Sequence, residues 1–397
     1  MGCMTLQAAG FSTRFLSVIL SAVIGFFGSV TGFRAGRLNS LSSVTKAADN
    51  YYLMDYTYDY DLDTLLESRT GNSTTAGLLL YSFADVFLQL NPGARKIISN
   101  LGFYGKIDSK GISRIMQKAL SFTGFGCTTF NATTPSGDRL LARNYDYMDS
   151  PGMTVWTHPE DGYASVSTVS LYFLGYGGSF MPDSKLTSLL TLIDPYIPVD
   201  GMNEKGLSIG VLELETPETF IQTQKKDITT TAVIRTVLDH AATVDEAVKI
   251  FRNYDMHDLL GGGCTYHYHI ADASGKTAII EYVNGEAKVI RPGKSGTLIA
   301  ANFWLTGGVD DPEGLGRDRY ATAEKMLKKK NYRVTEKEAM GILDAVHLED
   351  ADMNGYICST LWSVVYNNTK RTFTVCPMFN YDKPFRFSVS EPLKMLG

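Results

Sequence analysis

The residue pattern predicts an α+β fold, helices packed on antiparallel sheets, and three observations carry that prediction. From residue 127, "CTTFNA" and "RLLARNYDY" flank the turn-forming "TTPSGD", which reads strand, turn, strand. Further on, "YHYHIADASGKTAIIEYVNGEAKVI" reads as three strands joined by an Asp-Ala-Ser-Gly turn and an Asn-Gly turn. Between these stretches lie helical patterns, one over about 230–241 and one opening on the capping box formed by Thr243 and Glu246. A further helix opens at Thr335 with Glu338 three residues on, and "TLWSVVYNNTKRTFTVC" predicts a closing hairpin around Asn367 and Asn368. No internal repeat or low-complexity segment interrupts the series.

The amino-terminal part has a different texture. Residues 15–33, "FLSVILSAVIGFFGSVTGF", carry no charge and lie between Arg14 and Arg34. At about 1.5 Å per residue they span a bilayer core of about 30 Å. They are expected to anchor the chain in a membrane or, if cleaved as a signal, to direct secretion. Basic residues at both ends leave the orientation open. A polar linker follows. Asp59, Asp61 and Asp63 then alternate as in a calcium loop, but Thr64 stands where that loop needs glycine and Thr70 where it needs glutamate. Residues 75–121 show helical spacing with an Asn-Pro-Gly break at 91–93. The expected organisation is an anchor or signal at 1–36, a helical leader at 37–126 and a catalytic region at 127–397.

Composition narrows the function. Of 397 residues 44% are hydrophobic and 20% charged, with mean hydropathy −0.06. A net charge of −5 without a long basic run argues against nucleic acid as a partner. The five cysteines, at 3, 127, 264, 358 and 376, form no CxxC pair and no disulfide framework.

Cys127 stands out among them. Folding its hairpin about Pro135 places residue 127 opposite Arg143, and a guanidinium biases a facing thiol towards thiolate. Asp146 then reaches the chain just before Cys127. Gly124 and Gly126 leave that approach conformationally free. A glycine directly before the cysteine also removes bulk where an N-to-S acyl shift attacks the preceding carbonyl. A cut there makes Cys127 an amino terminus, whose α-amine, with an ordinary pKa near ~7.7, can act as base for its own thiol. No histidine is then required.

"CTTF…GDRLLARNYDY", "DGMNEKGLSIGVLELE", "YHYHIADASGKTAIIEYV", "AANFWL" and "GLGRDRY" together resemble the choloylglycine hydrolase family over about 127–385. These are N-terminal-nucleophile hydrolases of linear amide C–N bonds, with bile salt hydrolases, penicillin V acylases, N-acylethanolamine acid amidase and acid ceramidase among them or their relatives. The resemblance implies an αββα four-layer sandwich and no cofactor or metal. It places the nucleophile on Cys127, the R-N-x-D motif on Arg143, Asn144 and Asp146, the oxyanion amide on Asn302, and the second arginine on Arg319, with Arg317 as fallback. In that scheme Arg143 contacts the thiol and Asp146 holds the α-amine. The chain departs from the family where an asparagine or tyrosine is expected near the oxyanion, reading Leu212 and Glu213 instead. A glutamate cannot donate there unless protonated, so backbone N–H groups or a role for Glu213 towards a substrate amine are the alternatives to a solvent-facing side chain.

Tyr145, Met148 and Trp156 are candidates to line an acyl pocket. Cys264, His267 and His269 form C-x-x-H-x-H without a fourth metal ligand, and read as strand residues. The long leader and anchor favour amides with fatty or otherwise apolar acyl groups. Conjugated bile salts and penicillin V are alternatives within the same chemistry, and a catalytically silent membrane-anchored binding protein is the alternative of another class. A homo-oligomer stays open.

Overall fold

The computed structural model describes residues 35–57, 60, 62, 126–185, 187–214, 223–256, 266–309, 311, 314–353 and 356–397. The anchor or signal at 15–33, the alternating Asp59, Asp61 and Asp63, the helical pattern at 75–121 and Cys264 lie outside these residues. Among the described residues no helix is long and apolar enough to cross a membrane.

In chain order the elements begin with α1 (Ala35–Ser42), β1 (Thr45–Ala48) and β2 (Tyr51–Tyr56). They continue with β3 (Gly126–Thr133), β4 (Arg139–Tyr147), β5 (Gly152–Thr157), β6 (Ser165–Ser170), β7 (Asp200–Asn203) and β8 (Ser208–Glu213), with a 3₁₀ segment at Thr187–Tyr196. Next come β9 (Lys226–Ile228), α2 (Thr230–His240), α3 (Val244–Arg252), β10 (Tyr254–Met256), β11 (Tyr266–Ala271), β12 (Thr277–Val283), β13 (Glu286–Ile290) and β14 (Ile299–Ala300). The chain closes with α4 (Arg317–Lys329), α5 (Glu336–Ala345), β15 (Ala351–Met353), β16 (Tyr356–Asn367), β17 (Thr372–Pro377) and β18 (Phe385–Ser388).

A nine-stranded sheet runs β1-β2-β5-β6-β7-β8-β11-β12-β13, and a seven-stranded sheet runs β14-β3-β4-β16-β17-β18 with β15 on β16. Strand alternation sorts side chains between two cores. Cys127, Leu141, Tyr145, Trp362, Val364 and Tyr366 point towards the nine-stranded sheet. Phe130, Ala132, Leu140, Ala142 and Val365 point the other way, onto Ala323 and Leu327 of α4 and Ala339 and Leu343 of α5. With α2 and α3 covering the far side of the nine-stranded sheet, the layers are helix, sheet, sheet, helix. The capping boxes at Thr243 and Thr335 form as read, and α2 spans the expected helix.

Two readings change. The leader is not helical throughout: the aromatic-rich Tyr51–Tyr56 pairs in parallel with β5, inside the nine-stranded sheet. Four aromatic or apolar residues in succession suit a strand covered on both faces, and five of its six residues are buried. The hairpin register also differs from the one expected, since Cys127 lies opposite Tyr145 and Arg143 opposite Thr129. The turn closes from Thr134 to Asp138 with Gly137 at φ 96°, so its centre is Ser136 rather than Pro135. That moves every pair by two residues and leaves Cys127 and Arg143 on one face.

Candidate active site

Cys127 is the second residue of β3 and is buried. On its inward side Arg143 Nη2 lies 3.8 Å from Sγ and donates to the Val211 carbonyl, while Nη1 donates to Val199 O and to Asp200 Oδ2 at 2.7 Å. Trp362 Nε1 and the Tyr366 hydroxyl also donate to the Asp200 carboxylate, at 3.1 and 2.6 Å. Tyr145 stacks on Trp362 with ring centroids 4.2 Å apart, and the Arg143 guanidinium sits 5.1 Å from its ring centre.

On the outward side Arg319, near the start of α4, donates through Nη1 to Cys127 O at 2.5 Å and Thr128 Oγ1 at 2.8 Å, and lies 3.4 Å from Asp146 Oδ2. Its Nη2 donates to Asn302 Oδ1 at 2.9 Å. Asn302 Oδ1 also accepts from the Cys127 backbone N–H at 2.7 Å, and Asn302 Nδ2 donates to Glu213 O at 3.0 Å. Asp146, opposite Gly126 in the hairpin, accepts from Thr360 Oγ1 at 2.5 Å. The fold therefore brings Cys127, Arg143, Asp146, Asn302 and Arg319 together. Arg317 instead lies over the Phe303 ring at 4.4 Å.

Gly126 is regular strand with no special backbone freedom; its requirement is space. A Cβ there would stand 2.6 Å from Leu348 Cδ1 and 2.8 Å from Asp146 Oδ2, so only glycine lets that carboxylate approach the bond before Cys127.

The electrostatics correct one expectation. Burial pushes the Cys127 thiol up against the pull of Arg143, and Asp146 adds to that push. The guanidinium, itself paired with Asp200, does not make a thiolate here because the cost of burying the charged sulfur outweighs its pull. Burial likewise raises Asp146, against the opposing Arg319 charge. Cys358 and Cys376 are pushed up to about 11 and about 12, again chiefly by burial.

Three further candidates move. Asn302 donates one amide N–H to the Glu213 carbonyl and accepts from the Cys127 backbone N–H, so it holds the Cys127 backbone while its amide keeps a second N–H. Glu213 ends β8 with only 6% exposure, which removes the solvent-facing alternative. Trp156 is core: its ring packs on Phe373 and Phe387, and its Nε1 donates to Ser388 O. Phe373, on β17, is three strands from β3, about 14 Å at the usual spacing. Tyr145 keeps its place beside Cys127 and continues into Tyr147, Tyr172 and Phe173, whose rings meet one another at 5.1 to 6.1 Å.

Asp200 was not among the residues singled out, although it heads "DGMNEKG". The rest of that motif is architectural. Asn203 Nδ2 donates to the Leu238 and Ala241 carbonyls at the end of α2, and Gly206, at φ 81°, passes so close to Asn368 O that a Cβ would sit 2.1 Å away.

These layers form an αββα sandwich, with a buried cysteine and its polar partners between the two sheets. Residues 127–299 match the family model described as linear amide C–N hydrolases, choloylglycine hydrolase family, so the resemblance read from the motifs holds over that stretch. A penicillin V acylase of Pectobacterium atrosepticum is 30% identical over 187 residues, 42% of this chain and 46% of that protein. The chain thus spans about half the length of this curated relative. Among solved structures, a variant of conjugated bile acid hydrolase from Clostridium perfringens superposes with a TM-score of 0.50 at 15% identity, over 68% of this chain and 96% of that one, a likeness of fold alone. Penicillin V acylase from Agrobacterium tumefaciens gives 0.48 at 19% identity, over 67% and 87%.

Proposed function

We propose that this protein is a self-processing cysteine amidohydrolase that cleaves linear amide C–N bonds of N-acyl amides with apolar acyl groups. The observation that supports it most is the convergence on Cys127: Arg143 at the thiol, Asn302 on its backbone nitrogen, Arg319 on its carbonyl, and Asp146 against the glycine before it. Activation runs through attack of the Cys127 thiol on the Gly126 carbonyl, breaking that C–N bond and forming a thioester. Water then hydrolyses the thioester, leaving a carboxylate on Gly126 and a free α-amine on Cys127. The amine takes the thiol proton as sulfur attacks the substrate carbonyl and passes it to the departing amine; it next activates the water that releases the acid. The buried thiol, held protonated in the uncut chain, needs such a base.

The aromatic face of Tyr145, Tyr147, Tyr172 and Phe173 beside the nucleophile supports an apolar acyl group. Penicillin V is the second reading, favoured by the similarity to the Pectobacterium acylase. Amino-terminal sequencing is expected to find Cys-Thr-Thr-Phe on active protein. In a series of N-acyl amides, kcat/KM is expected to rise about four-fold per methylene, from ~0.8 kcal/mol each, until the pocket is filled. A flat series with faster penicillin V or taurocholate turnover would overturn the substrate assignment, and activity without cleavage at Gly126 would overturn the self-processing.

A further inference from the structure

His267 and His269 lie two residues apart on one face of β11, both buried, yet their partners differ in kind. His269 faces two hydroxyls, Thr129 Oγ1 at 3.2 Å and Thr277 Oγ1 at 2.9 Å. Each hydroxyl also reaches a backbone carbonyl, Ala142 O or Ile270 O, and either can turn its single proton to the bare ring nitrogen, so a neutral ring can be satisfied; burial together with the charge of His267 lowers His269 to about 3. His267 faces only acceptors: the Ala301 carbonyl lies 2.7 Å from Nε2, and Glu281 Oε1 lies 3.1 Å from Nδ1. A neutral imidazole has one N–H, so two obligate acceptors demand a second proton. The Glu281 carboxylate accepts in addition from the backbone N–H groups of Leu305 at 2.9 Å and Thr306 at 2.8 Å. Burial alone would raise that carboxyl, but the His267 ring and these donors hold it below the usual range.

Both ends of this pair grip one segment. His267 holds Ala301, the residue before Asn302, and Glu281 holds Leu305 and Thr306 just beyond it. We propose that His267 and Glu281 are a proton-sharing positioning pair that fixes the 301–306 segment, and through Asn302 sets the Cys127 backbone nitrogen, for the amidase reaction proposed above. The other charged or titratable groups packed around the pair are His269 on the same strand, Glu213 on β8 one residue past His267's register partner Leu212, and Arg319, which reaches the segment through Asn302. Lys288 lies opposite Glu281 on β13, but its ammonium is held by Glu286; Asp311 accepts from Trp304 N. None of these carboxylates replaces Glu281 at His267 Nδ1.

Histidine ¹⁵N spectra of the full chain read the pair without substrate: with an acceptor against each ring nitrogen, His267 is expected to carry protons on both, and His269 on one. A bare ring nitrogen on His267 overturns the proposal. In the processed enzyme, Glu281→Gln removes the carboxylate that accepts from the His267 ring and from the Leu305 and Thr306 N–H groups. It is expected to lower kcat about 10- to 100-fold through misplacement of Asn302, with a smaller change in KM. A folded Glu281→Gln enzyme with unchanged kcat, or with equal changes in kcat and KM, overturns the positioning role. Absence of amide turnover by the wild-type chain would instead sink the amidase reading, and the nitrogen spectrum then decides the pair by itself.

Discussion

Two buried arginine–aspartate pairs serve this molecule in different ways. Arg235 closes on Asp239 one turn along α2, at 2.6 Å, and Tyr60 from the leader donates to both oxygens of that carboxylate. Arg143 pairs with Asp200 at 2.7 Å across the gap between the sheets, and its other terminal nitrogen turns to Cys127. Both arginines and both aspartates are essentially inaccessible. The first cluster fastens the leader and reaches Ser165 through Arg235 Nη2; the second turns one edge towards a thiol. Buried charge is therefore no guide to chemistry here until the group that the edge of the pair faces is located.

The largest break in this comparison comes from removing what that edge faces. Cys127→Ala is expected to abolish both self-cleavage and turnover, a loss of ~10³ or more, about 4 kcal/mol in the barrier. Residual turnover within ten-fold of wild type, in protein shown to be folded, would remove Cys127 from the chemistry. Next come the aspartates. Asp200→Asn and Asp239→Asn each leave a buried arginine without its partner, at a stability cost of about 3–5 kcal/mol. Only Asp200→Asn is expected to change the thiol. With the balancing charge gone, Arg143 acts on Cys127 unopposed, so the pH midpoint for Cys127 alkylation should fall while that of Asp239→Asn stays at the wild-type value. Coincident alkylation curves for the two folded variants would erase the distinction between the clusters.

Much of this site was readable in the sequence because its residues sit in short local motifs. Cys127, Arg143 and Asp146 share one hairpin, and alternation alone puts the first two on one face. The register was two residues off because the turn centre depends on Gly137 adopting a left-handed conformation, a choice a strand pattern does not disclose. Asp200 was missed because its partners, Arg143, Trp362 and Tyr366, come from β4 and β16 of the other sheet, and no local spacing encodes a contact between sheets. Trp156 was misplaced for the same reason: its neighbours Phe373 and Phe387 lie more than two hundred residues on. The strand at Tyr51–Tyr56 falls within what reads as a helical leader, because its partner β5 begins only at Gly152 and no local pattern joins the two.

Gly126→Ala sharpens the comparison on the outward side of β3. The added Cβ crowds Asp146 Oδ2 and Leu348, so self-cleavage is expected to slow about ten-fold from misplacement of the carboxylate. Residue 126 leaves the nucleophile's chain on cleavage, so turnover per processed molecule should be unchanged. A time course of the two fragments beside active-site-normalised kcat separates the effects. Equal losses in both would mean that residue 126 shapes the mature site as well.

The smallest expected change in turnover tests the fastening cluster directly. Tyr60→Phe removes the hydroxyl proton shared between the two Asp239 oxygens, at 2.8 and 2.9 Å, but keeps the ring that lies beneath Arg235 and against Tyr196. Hydrogen bonds to a charged group contribute about 1.5–3 kcal/mol, so a lower Tm is expected. Because Tyr60 belongs to the fragment before the cut, faster separation of that fragment from processed protein is expected too. Arg235 and Asp239 remain paired with each other, and nothing in their cluster reaches Cys127, so kcat measured on the intact complex should match wild type. A fall in kcat comparable to that of Asp200→Asn, with the fragment still bound, would show that the leader's cluster also acts on the nucleophile. The contrast between a fastening pair and a working pair would then collapse.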